Sequence, residues 1–150
     1  MNNLLITPLI PELYCSNIKI SLAFYTEVLG FEIEYQREEE GFAMLERQAS
    51  RIMLDEIAQD PKEMKRVWLS HLLEKPFGRG INFQIRTSNI DALYRDVQQS
   101  AATIFLQIEE KWYRMNDIEI GNRQFIVLDP DGYMLRFVEY LGSRKNGSMV

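Results

Sequence analysis

Ser16-Asn17-Ile18 and Ser88-Asn89-Ile90 carry the same tripeptide 72 residues apart in a chain of 150. Each copy stands where a strand-like apolar run gives way to a helix-like one. Leu9 to Cys15 is answered by Ile81 to Thr87, and Ile18 to Leu29 by Ile90 to Ala101. A repeated tripeptide alone means little. Repeated flanks on both sides, at a period close to half the chain, point to two copies of one supersecondary module.

In the first copy, Asn17 or Ser16 can accept a hydrogen bond from the free N–H groups of a starting helix. Leu22, Tyr25 and Leu29 share a helical stripe, and Gly30 stands where a left-handed C-terminal residue costs least. Phe31, Ile33 and Tyr35 then alternate with Glu32, Glu34 and Gln36, the period of a half-exposed strand. Phe42 to Glu46 and Ile52 to Asp55 read as two more short strands. The second copy buries Ile90, Leu93, Val97 and Ala101 on its helix. Its strands are Thr103 to Gln107, Gln124 to Leu128 and Met134 to Glu139, with a turn at Asp129-Pro130-Asp131-Gly132 and a long loop over Lys111 to Asn122. Between the copies, Asp60-Pro61-Lys62-Glu63 combines an N-cap acid, a proline at the first helical position and a second acid three residues after the cap. This predicts a connecting helix over about 60–75, with Met64, Val67, Trp68, His71 and Leu72 on one face, ended by Pro76, Gly78 and Gly80. The expected architecture is α+β: one domain, 1–150, of two βαβββ modules over about 8–57 and 80–141.

A 46% apolar composition over 150 residues supports one good core. No apolar run reaches about 18 residues and no leader with a cleavage site is evident, which predicts a cytoplasmic protein without a membrane span. With one cysteine, Cys15, and one histidine, His71, neither an internal disulfide nor a Cys/His zinc site can form. A net charge of -5 argues against nucleic-acid binding, which rests on clustered Lys and Arg. The acid is concentrated at Glu38-Glu39-Glu40, Glu109-Glu110 and Asp117 with Glu119. These runs are either solvated turns and edges or a means of attracting a cationic ligand.

Strand parity separates two faces. The odd positions Leu9, Leu13, Cys15, Ile81, Phe83, Ile85, Leu135 and Phe137 are apolar and predicted to face the helices. The even positions are mixed: Ile10, Glu12 and Tyr14; Asn82, Gln84 and Arg86; Met134, Arg136 and Val138. Such a face is either solvent-exposed or the wall of a polar groove, and periodicity leaves both open.

Ser16-Asn17-Ile18 leading into Phe24-Tyr25 and Leu29-Gly30-Phe31, together with Leu128-Asp129-Pro130-Asp131-Gly132-Tyr133, resembles the vicinal-oxygen-chelate superfamily of glyoxalase I, extradiol dioxygenases and bleomycin resistance proteins. The likeness spans roughly Ile10 to Leu141. It implies a paired βαβββ fold whose mixed, curled sheets form a groove, usually in a homodimer, and it implies that the even face is the groove wall. Metal-binding members place His or Glu at four groove positions. These fall on Ile10, on Met53 (or Asp55 with the strand shifted by two), on Asn82 and on Arg136. Isoleucine, methionine, asparagine and arginine do not supply the imidazole, carboxylate or thiolate donors that a divalent cation needs. The chain thus resembles the metal-free bleomycin resistance branch, whose members sequester a cationic drug unchanged. It departs from that branch where a tryptophan often precedes the turn strand and this chain has Ile120-Gly121.

The resemblance implies a protein without cofactor or metal that binds an aromatic or cationic antibiotic-like compound. The candidate wall is Glu12, Tyr14, Phe42, Asn82, Gln84, Trp112, Tyr113 and Arg136, with Trp112 and Tyr113 placed on the loop. Flat rings there can stack on a planar ligand or pack in a core. Glu12 either meets a ligand cation or pairs with Arg136 or Arg86. The rival reading is a lyase, isomerase or dioxygenase-type enzyme with a nonstandard metal site through Asp55 and Glu12, or a Glu12-based proton transfer. His71, on the connecting helix, reads as structural or exposed, Trp68 as interface or core, and Cys15 as a small core hydrophobe.

Overall fold

The structure, a computed structural model, describes residues 7–57 and 68–146. The chain divides into two compact units, Met1–Phe77 with Pro130–Gly132, and Gly78–Asp129 with Tyr133–Val150. The first unit runs β1 (Glu12–Cys15), α1 (Ile18–Ala23), β2 (Glu32–Arg37), β3 (Phe42–Arg47) and β4 (Ser50–Glu56). The second runs β5 (Asn82–Arg86), α2 (Ile90–Gln99), β6 (Thr103–Met115), β7 (Ile118–Leu128) and β8 (Met134–Lys145). Strand order is β1-β4-β3-β2 in one sheet and β5-β8-β7-β6 in the other. In each, the first strand pairs in parallel with the last and the other pairs are antiparallel. The repeat in sequence is therefore a repeat in topology. Among the described residues no helix is long and apolar enough to cross a membrane.

Most odd positions inside the strands are buried as expected, though the even Tyr14 and Val138 are buried too and Phe83 is half-buried, and the expectation fails just before the strands. Leu13, Cys15, Ile85, Leu135 and Phe137 are all buried. Leu9 is 80% exposed and Ile81 53%, because β1 starts only at Glu12 and β5 only at Asn82, so neither residue is held against a helix. The matched rows Leu13–Leu54–Ala43 and Ile85–Phe137–Phe125 lie across the two sheets. In the first unit the aromatic bulk comes from the helical segment, where Tyr25 meets Phe24 and Phe31 edge-on. In the second it comes from the sheet, where Phe125 stacks on Phe137 and touches Tyr94 of α2.

Both helix starts are met by a glutamate from the last strand of their unit, at the end of β4 in one case and in the middle of β8 in the other. The Ile18 N–H donates to Glu56 at 2.7 Å and the Asn89 N–H to Glu139 at 2.8 Å. The two asparagines of the repeat act differently. The Asn17 side chain accepts from the Ile20 N–H at 3.1 Å, as expected of an N-cap. Asn89 has φ +50° and makes no side-chain cap. Ser16 turns instead to Asp131: its N–H and hydroxyl both donate to that carboxylate, at 3.0 and 2.5 Å. Asp131 also faces Lys75 at 3.3 Å, and its carbonyl accepts from the Phe77 N–H.

Several boundaries differ from the sequence expectation. The first helix is α-helical only to Ala23 and continues as a wider π turn through Phe24–Val28, closed by the Leu29 N–H on the Phe24 carbonyl. Gly30 takes φ +76° as expected. The second helix stops at Gln99 because the Ser100 hydroxyl donates to the Val97 carbonyl and accepts from the Ala102 N–H. Ala101 is consequently exposed rather than part of the stripe.

The loop expected over Lys111 to Asn122 is instead a hairpin: β6 and β7 pair from Thr103↔Leu128 out to Met115↔Ile118. Asn116, at φ +55°, and Asp117 form its two-residue turn. The start of the expected connecting helix, 60–67, lies outside the described residues, and 68–75 is not helical. There the stripe finds nothing to pack on. Trp68 is 81% and Leu72 93% exposed, His71 is exposed beside the Ser70 hydroxyl, and a residue preceding proline is steered out of the helical region.

Candidate functional site

In each sheet the even-numbered candidates share one face, on which Tyr14, Phe42 and Met44 of the first unit and Gln124 and Val138 of the second are buried. In the first unit, Glu12 lies opposite Met53, which lies opposite Met44, and Tyr14 lies opposite Asp55, which lies opposite Phe42. Tyr14 is buried and its hydroxyl accepts from the Trp68 N–H at 2.6 Å. Burial raises its pKa, and the nearby Glu12 and Asp55 carboxylates add to the rise. The Asp55 carboxyl is pushed up to about 6, by burial first and by the charge of Glu12 second. Phe42 is buried beneath the Arg37 guanidinium, 4.0 Å from the ring centre, and beside Tyr35. Its stacking surface is thus occupied within its own unit.

In the second unit, Gln84 lies opposite Arg136 and Asn82 opposite Met134. Gln84, Arg136 and Tyr113 converge on one open cavity of about 350 Å³, and Arg114, Met115, Ile120 and Asn122 of the hairpin complete its lining. The Arg136 Nε is buried and has no hydrogen-bond partner. The Tyr113 hydroxyl accepts from the Gln124 amide at 2.8 Å, and the same amide donates to Glu109 at 3.0 Å. Asn82 is exposed and lies outside the lining.

Trp112 lies outside it too. Its ring is laid over Gly121 so closely that an added Cβ would stand 2.7 Å from it, and the Arg144 guanidinium covers it at 4.0 Å. Sequence reasoning missed Arg114, Met115, Ile120 and Asn122 because it read 111–122 as a loop. The signal was the Asn116-Asp117 turn pair with pairable residues on both sides.

The pairing also settles the strand shift left open by sequence. Glu12↔Met53 and Gln84↔Arg136 are equivalent pairs of the repeat, so Met53, not Asp55, is the counterpart of Arg136. The four positions Ile10, Met53, Asn82 and Arg136 offer no donor set for a divalent cation. The residues present do not fit the metal found in related enzymes. Among the described residues, no three His, Cys, Asp or Glu side chains gather as a metal site.

The Glyoxalase family, described as the Glyoxalase/Bleomycin resistance protein/Dioxygenase superfamily, matches residues 7–137. The bleomycin resistance protein of Geobacillus stearothermophilus is 27% identical over 143 residues, covering 89% of this chain and 97% of its own length. That of Staphylococcus aureus strain N315 matches to the same extent. Among solved structures, TioX from Micromonospora sp. ML1 aligns with a TM-score of 0.65 at 18% identity, covering 89% of this chain and 98% of its own. The virulence protein STM3117 from Salmonella typhimurium aligns at 0.64 and 20%, covering 88% and 94%. At such identities the structural likeness concerns the fold alone.

Proposed function

We propose that this chain, which belongs to the Glyoxalase/Bleomycin resistance protein/Dioxygenase superfamily, is a metal-free small-molecule-binding protein that sequesters an aromatic or cationic antibiotic-like compound. The observation that carries this reading is the replacement at Arg136. Where a related metalloenzyme would hold a cation, a guanidinium stands at the wall of an open cavity beside Tyr113. A guanidinium repels a metal and binds an organic ligand by hydrogen bonds and stacking. The whole-length similarity to bleomycin resistance proteins supports the same role. An aromatic ligand is supported by Tyr113 in the cavity. A cationic one is supported by Glu12 and Asp55; of the acidic runs, Glu40, Glu110 and Glu119 already face Arg37, Arg123 and Arg144. The working form on this reading is a cytoplasmic homodimer.

Thermal-shift screening of aromatic antibiotics, bleomycin included, tests the proposal. A ligand that binds only the folded state raises its melting temperature with saturation. Failure of every aromatic or cationic compound to do so sinks it.

A second reading is favoured by one observation, the Asp55 carboxyl near pKa 6 beside Glu12, a value suited to proton transfer near neutral pH. On that reading the chain is an enzyme. Stoichiometric zinc, nickel, manganese or iron in purified protein, lost in Glu12→Ala and Asp55→Ala, would establish its metal-dependent form against the first reading.

A further inference from the structure

We propose that the cavity of the second unit is an oxyanion subsite, in which Arg136 holds the carboxylate or phosphoryl group of a small aromatic molecule. The inference rests on the binding role proposed above and specifies the ligand's charged end.

The first argument is an unanswered charge. A buried N–H without an acceptor forfeits its hydrogen bonds to water, and a charged one forfeits more. The first unit shows how this fold treats a buried arginine that has only a structural role. Arg51 is 8% exposed, and its guanidinium forks onto both Glu34 oxygens at 2.8–3.2 Å and also meets the Thr7 hydroxyl. Arg136 has no such partner: its Nε is buried without an acceptor, and no described carboxylate pairs with it.

The second argument is that the fold does not need a guanidinium at this position. The equivalent place in the first unit is filled by Met53, opposite Glu12, just as Arg136 is opposite Gln84. An uncharged side chain completes the same strand pair there. What Arg136 adds is therefore directed at something other than strand pairing.

The third argument is the company it keeps. The lining of the cavity holds two arginines, Arg136 and Arg114, and no carboxylate. Gln84 and Asn122 add amide donors beside the guanidinium. The planar fork of arginine matches two oxygens of a carboxylate or phosphoryl group. Tyr113, Met115 and Ile120 supply an apolar flank to the same space. A cavity of about 350 Å³ is at the small end for organic ligands. It has room for one ring with a single anionic substituent.

The test is an NMR titration of the full chain at low salt with three ring compounds that differ in one group: benzoate, phenylphosphonate and benzylammonium. Either anion is expected to shift the Arg136 Nε–H and Tyr113 signals in a saturable way, and benzylammonium to leave them in place. The stronger of the two anions distinguishes a carboxylate site from a phosphoryl site. Arg136→Gln is expected to weaken the anion about tenfold. Arg114→Gln, an exposed change on the hairpin that the fold tolerates, is expected to weaken it about threefold and keeps the test decisive if Arg136→Gln does not fold. Benzylammonium binding as tightly as the anions, wild-type affinity in both variants, or no saturable shift with any of the three overturns the proposal. Stabilisation by an uncharged aromatic in the thermal-shift screen would, in that event, leave the binding role standing without this subsite.

Discussion

The two units share strand order, pairing and a glutamate donated by the last strand to the helix start, yet they fill their cores from different layers and differ in charge at equivalent positions of the sheet. In the first, rings enter as Phe24 and Tyr25 of the helical segment and Phe31 just before β2, over small or aliphatic sheet residues such as Ala43 and Leu54. In the second, Phe125 and Phe137 rise from the sheet, and α2 buries Ile90, Leu93 and Val97 along with Tyr94. What the fold conserves between its halves is volume between helix and sheet, since packed interiors tolerate exchange of where bulk originates better than its loss. The opposite sheet faces differ in charge at equivalent positions. There Glu12 and Met53 answer Gln84 and Arg136, and Asp55 answers Val138. One unit thus concentrates acid and the other base.

The largest effect that would test this comparison is loss of a ring from the second core. Phe137→Ala is expected to cost about 4 kcal/mol of stability in urea unfolding, and Leu54→Ala, its counterpart, about 3 kcal/mol. Equal or reversed losses would mean that the two cores are not packed from different layers as described. Next is Gly121→Val, in the hairpin extension that only the second unit has. Its side chain would collide with the Trp112 ring, for an expected cost of about 2 kcal/mol and a change in tryptophan fluorescence.

A smaller effect separates these sheet faces. The Asp55 carboxyl sits at about 6 in the folded protein against 3.8 for the free side chain. The folded state therefore holds an extra proton between those values, so stability falls as pH rises from about 4 to about 6 and stays lower above. Asp55→Asn is expected to stabilise the protein by about 1 kcal/mol at pH 8, after discounting for solvent screening at this partly exposed site, and to be neutral below about pH 4. A pH-independent effect would remove the raised Asp55 carboxyl, and with it the burial and the Glu12 charge that raise it, from the account. The smallest effect concerns the repeated asparagines. Asn17→Ala removes a cap and should cost about 1 kcal/mol. Asn89→Gly relieves a left-handed residue and should gain about 0.5 kcal/mol. Equal losses at both would show that the repeat caps both helices alike after all.

Much of the architecture was legible because it depends on short-range rules. Parity placed Leu13, Cys15, Ile85 and Phe137 in the core, and helical spacing did the same for Leu93 and Val97. Ends and extensions were not legible. Nothing local says that β1 begins at Glu12 rather than Leu9, and the hairpin past Gln107 is held by cross-strand pairing that only a partner strand reveals.

The candidate site divides along the same line. Gln84 and Arg136 were named from parity and resemblance and Tyr113 for its ring, and the three do meet in one cavity. Phe42 and Trp112 were named for their rings, but those rings are covered by Arg37 and Arg144, a tertiary fact no spacing encodes. Tyr14 is engaged by the Trp68 backbone across a stretch of chain whose expected helix is absent over 68–75.

One link has a consequence for cutting the polypeptide. Asp131 lies on the turn between β7 and β8, but Pro130–Gly132 belongs to the first compact unit, where Asp131 receives the donors of Ser16 and faces Lys75. A gene for the first half alone, ending at Phe77, would omit the carboxylate that accepts both donors of Ser16, just before the helix. The sequence boundary between the repeats is thus not the boundary between the compact units, and a clean cut would have to carry Pro130–Gly132 with the first half.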